Sequence, residues 1–267
     1  VGISVDGDIY VIGGGPDTES GALVQVRVGG TDQAPELSAG WYAQTQGGSA
    51  TSPSISADGR YVVIADGSSI DQVLDPDAVD ARVRVADIEA CDANIDEDPD
   101  EAVCAFAFEE ALERGPMPGS PAILEDGTVI FYEFGLGFSA GQDDRDLVAV
   151  GPGGVVWEAV LPDDLDWSSV ITVTENHLVG TATRVTASED QLFALSLPAT
   201  SEDYVVVLDR EDGSWVWQAP IPDDSAATVS VGPNGELYVG MLGIISILSV
   251  EERPTLGLVR FSPTEAP

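Results

Sequence analysis

One phrase recurs along the chain: a short apolar run, an acidic-Gly or Asn-Gly turn, and a second apolar run. It reads Ile3-Ser4-Val5-Asp6-Gly7-Asp8-Ile9-Tyr10-Val11, then Ser54-Ile55-Ser56-Ala57-Asp58-Gly59-Arg60-Tyr61-Val62-Val63. Two further copies are Ala122-Ile123-Leu124-Glu125-Asp126-Gly127-Thr128-Val129-Ile130 and Val229-Ser230-Val231-Gly232-Pro233-Asn234-Gly235-Glu236-Leu237-Tyr238-Val239. A degenerate copy, Val170 to Val179, carries Asn176 where the others have Gly. Alternation of apolar and polar positions is the period of a half-buried strand, and Asp-Gly or Asn-Gly supplies the positive φ of a two-residue hairpin turn. Each copy therefore predicts a hairpin.

After each hairpin comes a third apolar run and then a fourth opened by an aromatic. The clearest case is Tyr204-Val205-Val206-Val207-Leu208-Asp209, a turn through Gly213, and Trp215-Val216-Trp217-Gln218. Leu147 to Val150, a turn through Gly154, and Val155-Val156-Trp157-Glu158 repeat it one unit earlier. Looser versions are Leu23 to Val28 followed by Trp41, and Arg82 to Ile88 followed by Phe106 and Phe108. Four short strands per repeat is the signature of a propeller blade. The expectation is one all-β domain over residues 1–267, a β-propeller of about five four-stranded blades at 1–52, 53–119, 120–168, 169–226 and 227–267. The last repeat stops after a third strand, Leu258 to Phe261, so the missing outer strand is expected upstream of Val1; an arc of a larger ring is the alternative.

The Val-Leu-Asp-x-x-x-Gly-x-x-x-Trp turn at Leu208, Asp209, Gly213 and Trp217, with Gly154 and Trp157 one repeat before, resembles the blade motif of pyrroloquinoline-quinone-like propellers. The resemblance implies that Trp157 and Trp217, and Trp41 with them, are structural residues packed between neighbouring blades. Quinone-dependent dehydrogenases of that family carry adjacent cysteines and a calcium-binding set of carboxylates and amides. Here Cys91 and Cys104 are not adjacent, and no quinone cofactor is carried over.

Charge narrows the partners. Ten basic residues, all Arg, stand against 47 acidic ones, for a net charge of −37 with His177 neutral. Nucleic acid and anionic membrane both need a basic footprint, so neither is expected as a partner. A solvated, high-salt style of surface and cation binding are both compatible with such a balance. No apolar run is long enough to span a bilayer. Cys91 and Cys104 bracket a polar segment, the pattern of a disulfide in an oxidising compartment; two unrelated buried thiols are the alternative.

Between the cysteines, Asp92, Asn94, Asp96, Asp98 and Asp100 alternate as in the opening of a calcium loop, where hard oxygens converge on one ion. The match fails at Glu97, where such a loop wants Gly, and at Val103, where it wants a bidentate Glu. A solvated insertion tied by the disulfide is the competing reading. Asp143-Asp144-Arg145-Asp146 and the equivalent pairs Asp163-Asp164 and Asp223-Asp224, each after a Pro, read as turn punctuation. Gly13-Gly14-Gly15 reads as a turn. No nucleophile with a base is found, there is no Lys, and His177, the only histidine, falls in a hairpin. These features favour a non-catalytic interaction or scaffold module of a secreted, periplasmic or cell-surface protein, binding a protein partner, with no cofactor unless calcium. The alternatives are a quinoprotein-type dehydrogenase and a calcium-dependent adhesive module.

Overall fold

The computed structural model of the chain describes residues 1–14, 20–31, 33–46, 49, 51–66, 82–97, 102–112, 119–132, 146–162, 165–186, 200–241 and 256–263. The chain is all-β and of the β-propeller class: five antiparallel sheets follow one another, each drawn from one repeat. The first holds β1 (Gly2–Ile3), β2 (Ile9–Gly14), β3 (Gly21–Thr31) and β4 (Ala34–Thr45). The second holds β5 (Ser54–Ile55), β6 (Tyr61–Asp66), β7 (Arg82–Asp87) and β8 (Phe108–Ala111), with helix α1 (Ile88–Glu97) between its last two strands. The third is β9 (Ala122–Ile123), β10 (Val129–Tyr132), β11 (Leu147–Gly151) and β12 (Gly154–Ala159).

The fourth sheet has five strands: β13 (Asp166–Trp167), β14 (Thr172–Val173), β15 (His177–Thr186), β16 (Thr200–Asp209) and β17 (Trp215–Ile221). Both β13 and β14 pair with β15, so residues 166–167 join the fourth sheet and not the third, where the repeat boundary placed them. The fifth has β18 (Ser230–Val231), β19 (Leu237–Met241) and β20 (Gly257–Phe261) in that order.

The hairpin turns differ from the two-residue form expected. In four of them the glycine N–H donates to a carbonyl three residues back, Gly7 to Ser4, Gly59 to Ser56, Gly127 to Leu124 and Gly235 to Gly232. Those glycines lie at φ of 90°, 77°, 85° and 83°. This is a β-turn closed by a left-handed residue, which only Gly adopts without strain. The degenerate fourth copy needs no glycine, because the Thr174 hydroxyl both accepts the His177 N–H and donates to the His177 carbonyl. Gly13 and Gly14, read as a turn, end β2 and pair with Ala22 and Gly21.

Burial explains the sequence pattern. Val62 to Asp66 of β6 and all of β10 and β11 are buried on both faces, so these inner strands read as continuous apolar runs. Outer strands β12 and β17 are mostly exposed or half-buried. Two compact units result. One comprises Val1–Glu133 and Val148–Val156; the other comprises Phe134–Leu147 and Trp157–Pro267. In the first, Tyr10, Leu23, Trp41 and Ala43 form a core with Val62, Ile64, Ala86, Ile88 and the two cysteines. In the second, Val179, Val205 and Ile221 pack with Val229 and Val239.

Candidate functional site

Cys91 and Cys104 are joined in a disulfide, with Cα atoms 5.2 Å apart, and both are almost fully buried. The first part of the segment between them is helical, where the alternating oxygens suggested a loop. Backbone from Ile88 to Glu97 is helical, and successive residues of a helix turn by ~100°, so alternate positions fall on different sides. Asp92 and Asn94 are therefore not brought together. Asp92 instead pairs with Arg27 of β3 at 2.9 Å, while Asn94 is exposed. The helical backbone includes Asp96; Asp98 and Asp100 lie outside the described residues. Helix formation wins because Ile88 and Cys91, three apart, both enter the core.

The segment after the helix returns to the first sheet. Tyr42 of β4 donates its N–H to the Ala102 carbonyl at 2.8 Å, and Cys104 donates to the Tyr42 carbonyl at 2.7 Å. A parallel bridge between Tyr42 and Val103 results. The insertion is thus a clasp: one end rises from β7, its middle pairs with Arg27, and its return leg extends the edge of β4.

Carboxylates buried in or beside the inner strands are the feature that sequence reasoning missed. Asp66, at the end of β6, is fully buried and receives Arg84 Nε at 2.6 Å together with the N–H groups of Gln46 and Arg82. Arg84 also pairs with Glu109, which takes Arg82 as well, and its guanidinium lies over the Phe106 ring at 5.4 Å. Burial raises the Asp66 carboxyl above its ordinary range, against the lowering pull of the Gln46 N–H and of Arg84. Asp146, 4% exposed, accepts the Leu161 N–H at 2.6 Å.

Asp203, 6% exposed, is held differently: the hydroxyls of Thr183 and Ser201 donate to its two oxygens at 2.8 and 2.7 Å. Its carboxyl is raised, first by burial and then by the nearby Asp223 charge, with the two hydroxyls opposing. Thr183 reaches Ser168, and Ser168 and Thr181 both donate to the Ser225 carbonyl, beside buried Asp223 and Asp224. The signal was available: each of the three aspartates abuts a continuous apolar run, Val62 to Ala65, Leu147 to Val150 and Tyr204 to Leu208. A charge next to such a run is drawn under by its neighbours.

Every described arginine is engaged. Arg27, Arg60, Arg82, Arg84, Arg184 and Arg260 pair with carboxylates, and Arg210 donates to the Thr174 carbonyl. Burial alone raises the Tyr132 phenol, and it pushes Tyr10 up to about 12, where the Gln25 hydrogen bond opposes it. His177 contributes its backbone to the fourth sheet, opposite Asp209.

Trp157 lies against Gly213, where an added Cβ would meet its ring at 2.8 Å, and Trp217 lies edge-on to Phe261 with centroids 5.9 Å apart. Both therefore reach the following repeat from an outer strand. Trp217 is nevertheless 41% exposed, whereas Trp41 and Trp167 are the buried tryptophans. Truncating Trp217 accordingly removes less than a core side chain would.

On the first sheet, the side away from Tyr10, Leu23 and Trp41 carries an open groove of about 560 Å³ lined by Val11, Ala22, Val24, Val26, Tyr42 and Gln44. Ser20 also lines it, and its hydroxyl has no partner among the described residues. Beyond the groove, Val28 and Leu37 pair across β3 and β4 and are 44% and 68% exposed. Apolar side chains standing together in water mark a binding surface more often than a bare one.

No family model and no curated protein matches the chain. Among solved structures it is similar to BamB from Moraxella catarrhalis, at 13% identity and a TM-score of 0.45, over 88% of this chain and 61% of that one. It is also similar to the β-propeller domain of the Trilobed protease from Pyrococcus furiosus, at 11% identity and a TM-score of 0.40, over 96% and 70% of the two chains. A third is Drosophila Plexin A in complex with Semaphorin 1b, at 9% identity and a TM-score of 0.42, over 95% of this chain and 51% of that one. The chain thus spans less than two thirds of the length of the BamB and plexin chains.

Proposed function

We propose that this propeller is a non-catalytic interaction module that works outside the cytoplasm and binds a protein partner. The uncovered apolar groove of the first sheet carries the reading, because Val11, Val24, Val26 and Tyr42 gain nothing from water and much from a partner that covers them. Two features support it. The Cys91–Cys104 disulfide suits an oxidising compartment. The buried carboxylates are occupied within the sheets, Asp66 by Arg84 and Asp203 by the Thr183 and Ser201 hydroxyls.

The test uses carboxyl-directed cross-linking, since the chain has no lysine for amine chemistry. With extracytoplasmic extract of the source cells, carboxyl cross-links to one protein are expected, and they are lost in Val26→Arg at unchanged melting temperature. Cross-links that ignore Val26→Arg would sink the groove reading. Dye reduction by alcohols or sugars with quinone and calcium added would sink the non-catalytic half.

A further inference from the structure

Tyr42 belongs to two structures at once. Its side chain lines the groove of the first sheet, while Trp41 and Ala43 on either side of it turn the other way into the core. Its backbone belongs to the clasp, giving its N–H to the Ala102 carbonyl and taking the Cys104 N–H on its own carbonyl. The bridge so made pairs Tyr42 with Val103. Paired residues of neighbouring strands carry their side chains on one face, and successive residues alternate between faces. Val103, 48% exposed, therefore stands on the groove face beside Tyr42. Cys104, one step on, is turned to the core face, where it is buried and bonded to Cys91.

The other end of that bond is firmly seated. Ile88 and Cys91 enter the core, the Ile88 N–H donates to the Arg60 carbonyl, and the Ala90 N–H donates to the Asp87 carboxylate. Helix α1 is thus fixed to the second sheet by contacts that do not involve residues 102–104. The hold of residues 102–104 on β4 is the two backbone hydrogen bonds to Tyr42, and bonds at a sheet margin open readily. The bond between the sulfurs keeps the leg within reach of Tyr42.

We infer that the Cys91–Cys104 disulfide gates the groove and that Val103 is part of its binding face, both resting on the groove being the face where the partner docks. In the oxidised chain Val103 is delivered beside Tyr42 and adds an aliphatic side chain to the rim. In the dithiol chain residues 102–104 leave β4, and the rim loses Val103 with them. Closure is a thiol–disulfide exchange. Two cysteine thiols and one disulfide of an oxidant give the Cys91–Cys104 bond and two thiols, so two electrons and two protons pass to the oxidant. Once closed, the bond is buried in a molecule whose net charge of −37 repels attacking thiolates, so the gate works as an activation step. The docking face is complete only after the chain has met a disulfide oxidant.

The test compares the oxidised 267-residue chain with the double variant Cys91→Ser, Cys104→Ser and with Val103→Asp, which keeps the disulfide and stays informative where the double variant unfolds. In the double variant, amide hydrogen exchange should quicken at least about tenfold at positions 42 and 104, while Val206 and Val207 of the fourth sheet keep their rates. Nile red, a neutral apolar dye, is the probe of the groove. Its binding should be lost in Val26→Arg and should weaken at least about threefold in the double variant and in Val103→Asp. Equal exchange at positions 42 and 104 with and without the disulfide, or a dye affinity that Val103→Asp leaves unchanged, overturns the gate alone. Dye binding that ignores Val26→Arg overturns the groove as the docking face and takes the gate with it, so the two failures are told apart.

Discussion

The second and fourth sheets each bury an aspartate, Asp66 at the end of β6 and Asp203 within β16, and they satisfy it by different means. Asp66 has a guanidinium, two backbone donors and a second carboxylate beyond the arginine, a network of balanced charge. Asp203 has two hydroxyls and a like-charged neighbour in Asp223. Hydroxyls satisfy a carboxylate's oxygens without cancelling its charge, so the cost of desolvation is only partly offset. The lesson is that hydrogen-bond satisfaction and charge neutralisation are separable, and this chain, with few arginines, uses the second sparingly.

The sharpest way to break the comparison is to remove one charge from each. Asp66→Asn strands Arg84 with only Glu109 and should cost about 3 kcal/mol at pH 7, read by denaturant unfolding. A cost below about 1 kcal/mol would mean that the arginine is solvated and the pair is not a buried one. Thr183→Val should cost about 1.5 kcal/mol, because a buried carboxylate oxygen loses its donor. Asp203→Asn, which keeps an acceptor and removes the charge, should change stability at pH 7 by less than about 0.5 kcal/mol or raise it, the opposite of its counterpart.

The pH dependence follows from the same asymmetry. With its pKa raised above the unfolded value of about 3.9, the folded chain binds the Asp203 proton more tightly than the unfolded chain does. Stability from this group is therefore full below that pH and is lost as pH rises through the folded value. Melting temperature should fall as pH rises from the unfolded value through the folded one. Asp203→Asn should flatten part of that slope and leave the part owed to Asp66, which is raised in the same direction. An unchanged slope in the variant would assign the effect to the general relief of surface repulsion.

The smallest effect concerns salt. Screening shortens from ~8 Å at ~0.15 M to ~3 Å at 1 M, so sodium chloride should raise the melting temperature by relieving repulsion among surface carboxylates. The Asp66→Asn and Thr183→Val costs should hardly change, since buried groups are little screened. Salt that restored either variant would place its carboxylate at the surface.

Much of the architecture was legible because the turn residues are local. Asp-Gly and Asn-Gly mark hairpins wherever they fall, and Trp157 and Trp217 mark the outer strand by position within the repeat. The turn type was misjudged, since whether the Gly7 or the Gly59 N–H reaches back three residues depends on where the pairing stops. The helix over Ile88–Glu97 was not legible for a non-local reason: alternation of Asp92, Asn94 and Asp96 is equally compatible with a loop, and only the core that Ile88 and Cys91 enter selects a helix. The apolar run after Asp203 signalled its burial, but its partners were not legible, because Thr183 and Ser201 are ordinary residues until the register of β15 and β16 brings them together.

The clasp between the first two sheets also has a consequence for how the chain comes into being. The edge of β4 is pinned by residues 102–104, and Arg27 waits for Asp92, so the first sheet is finished by sequence that leaves the ribosome long after it. Until residues 102–104 are made, the first sheet has a raw edge at β4. Completion of the first sheet is thus a late event, waiting on sequence well downstream of it, and the disulfide then holds the returning leg in place.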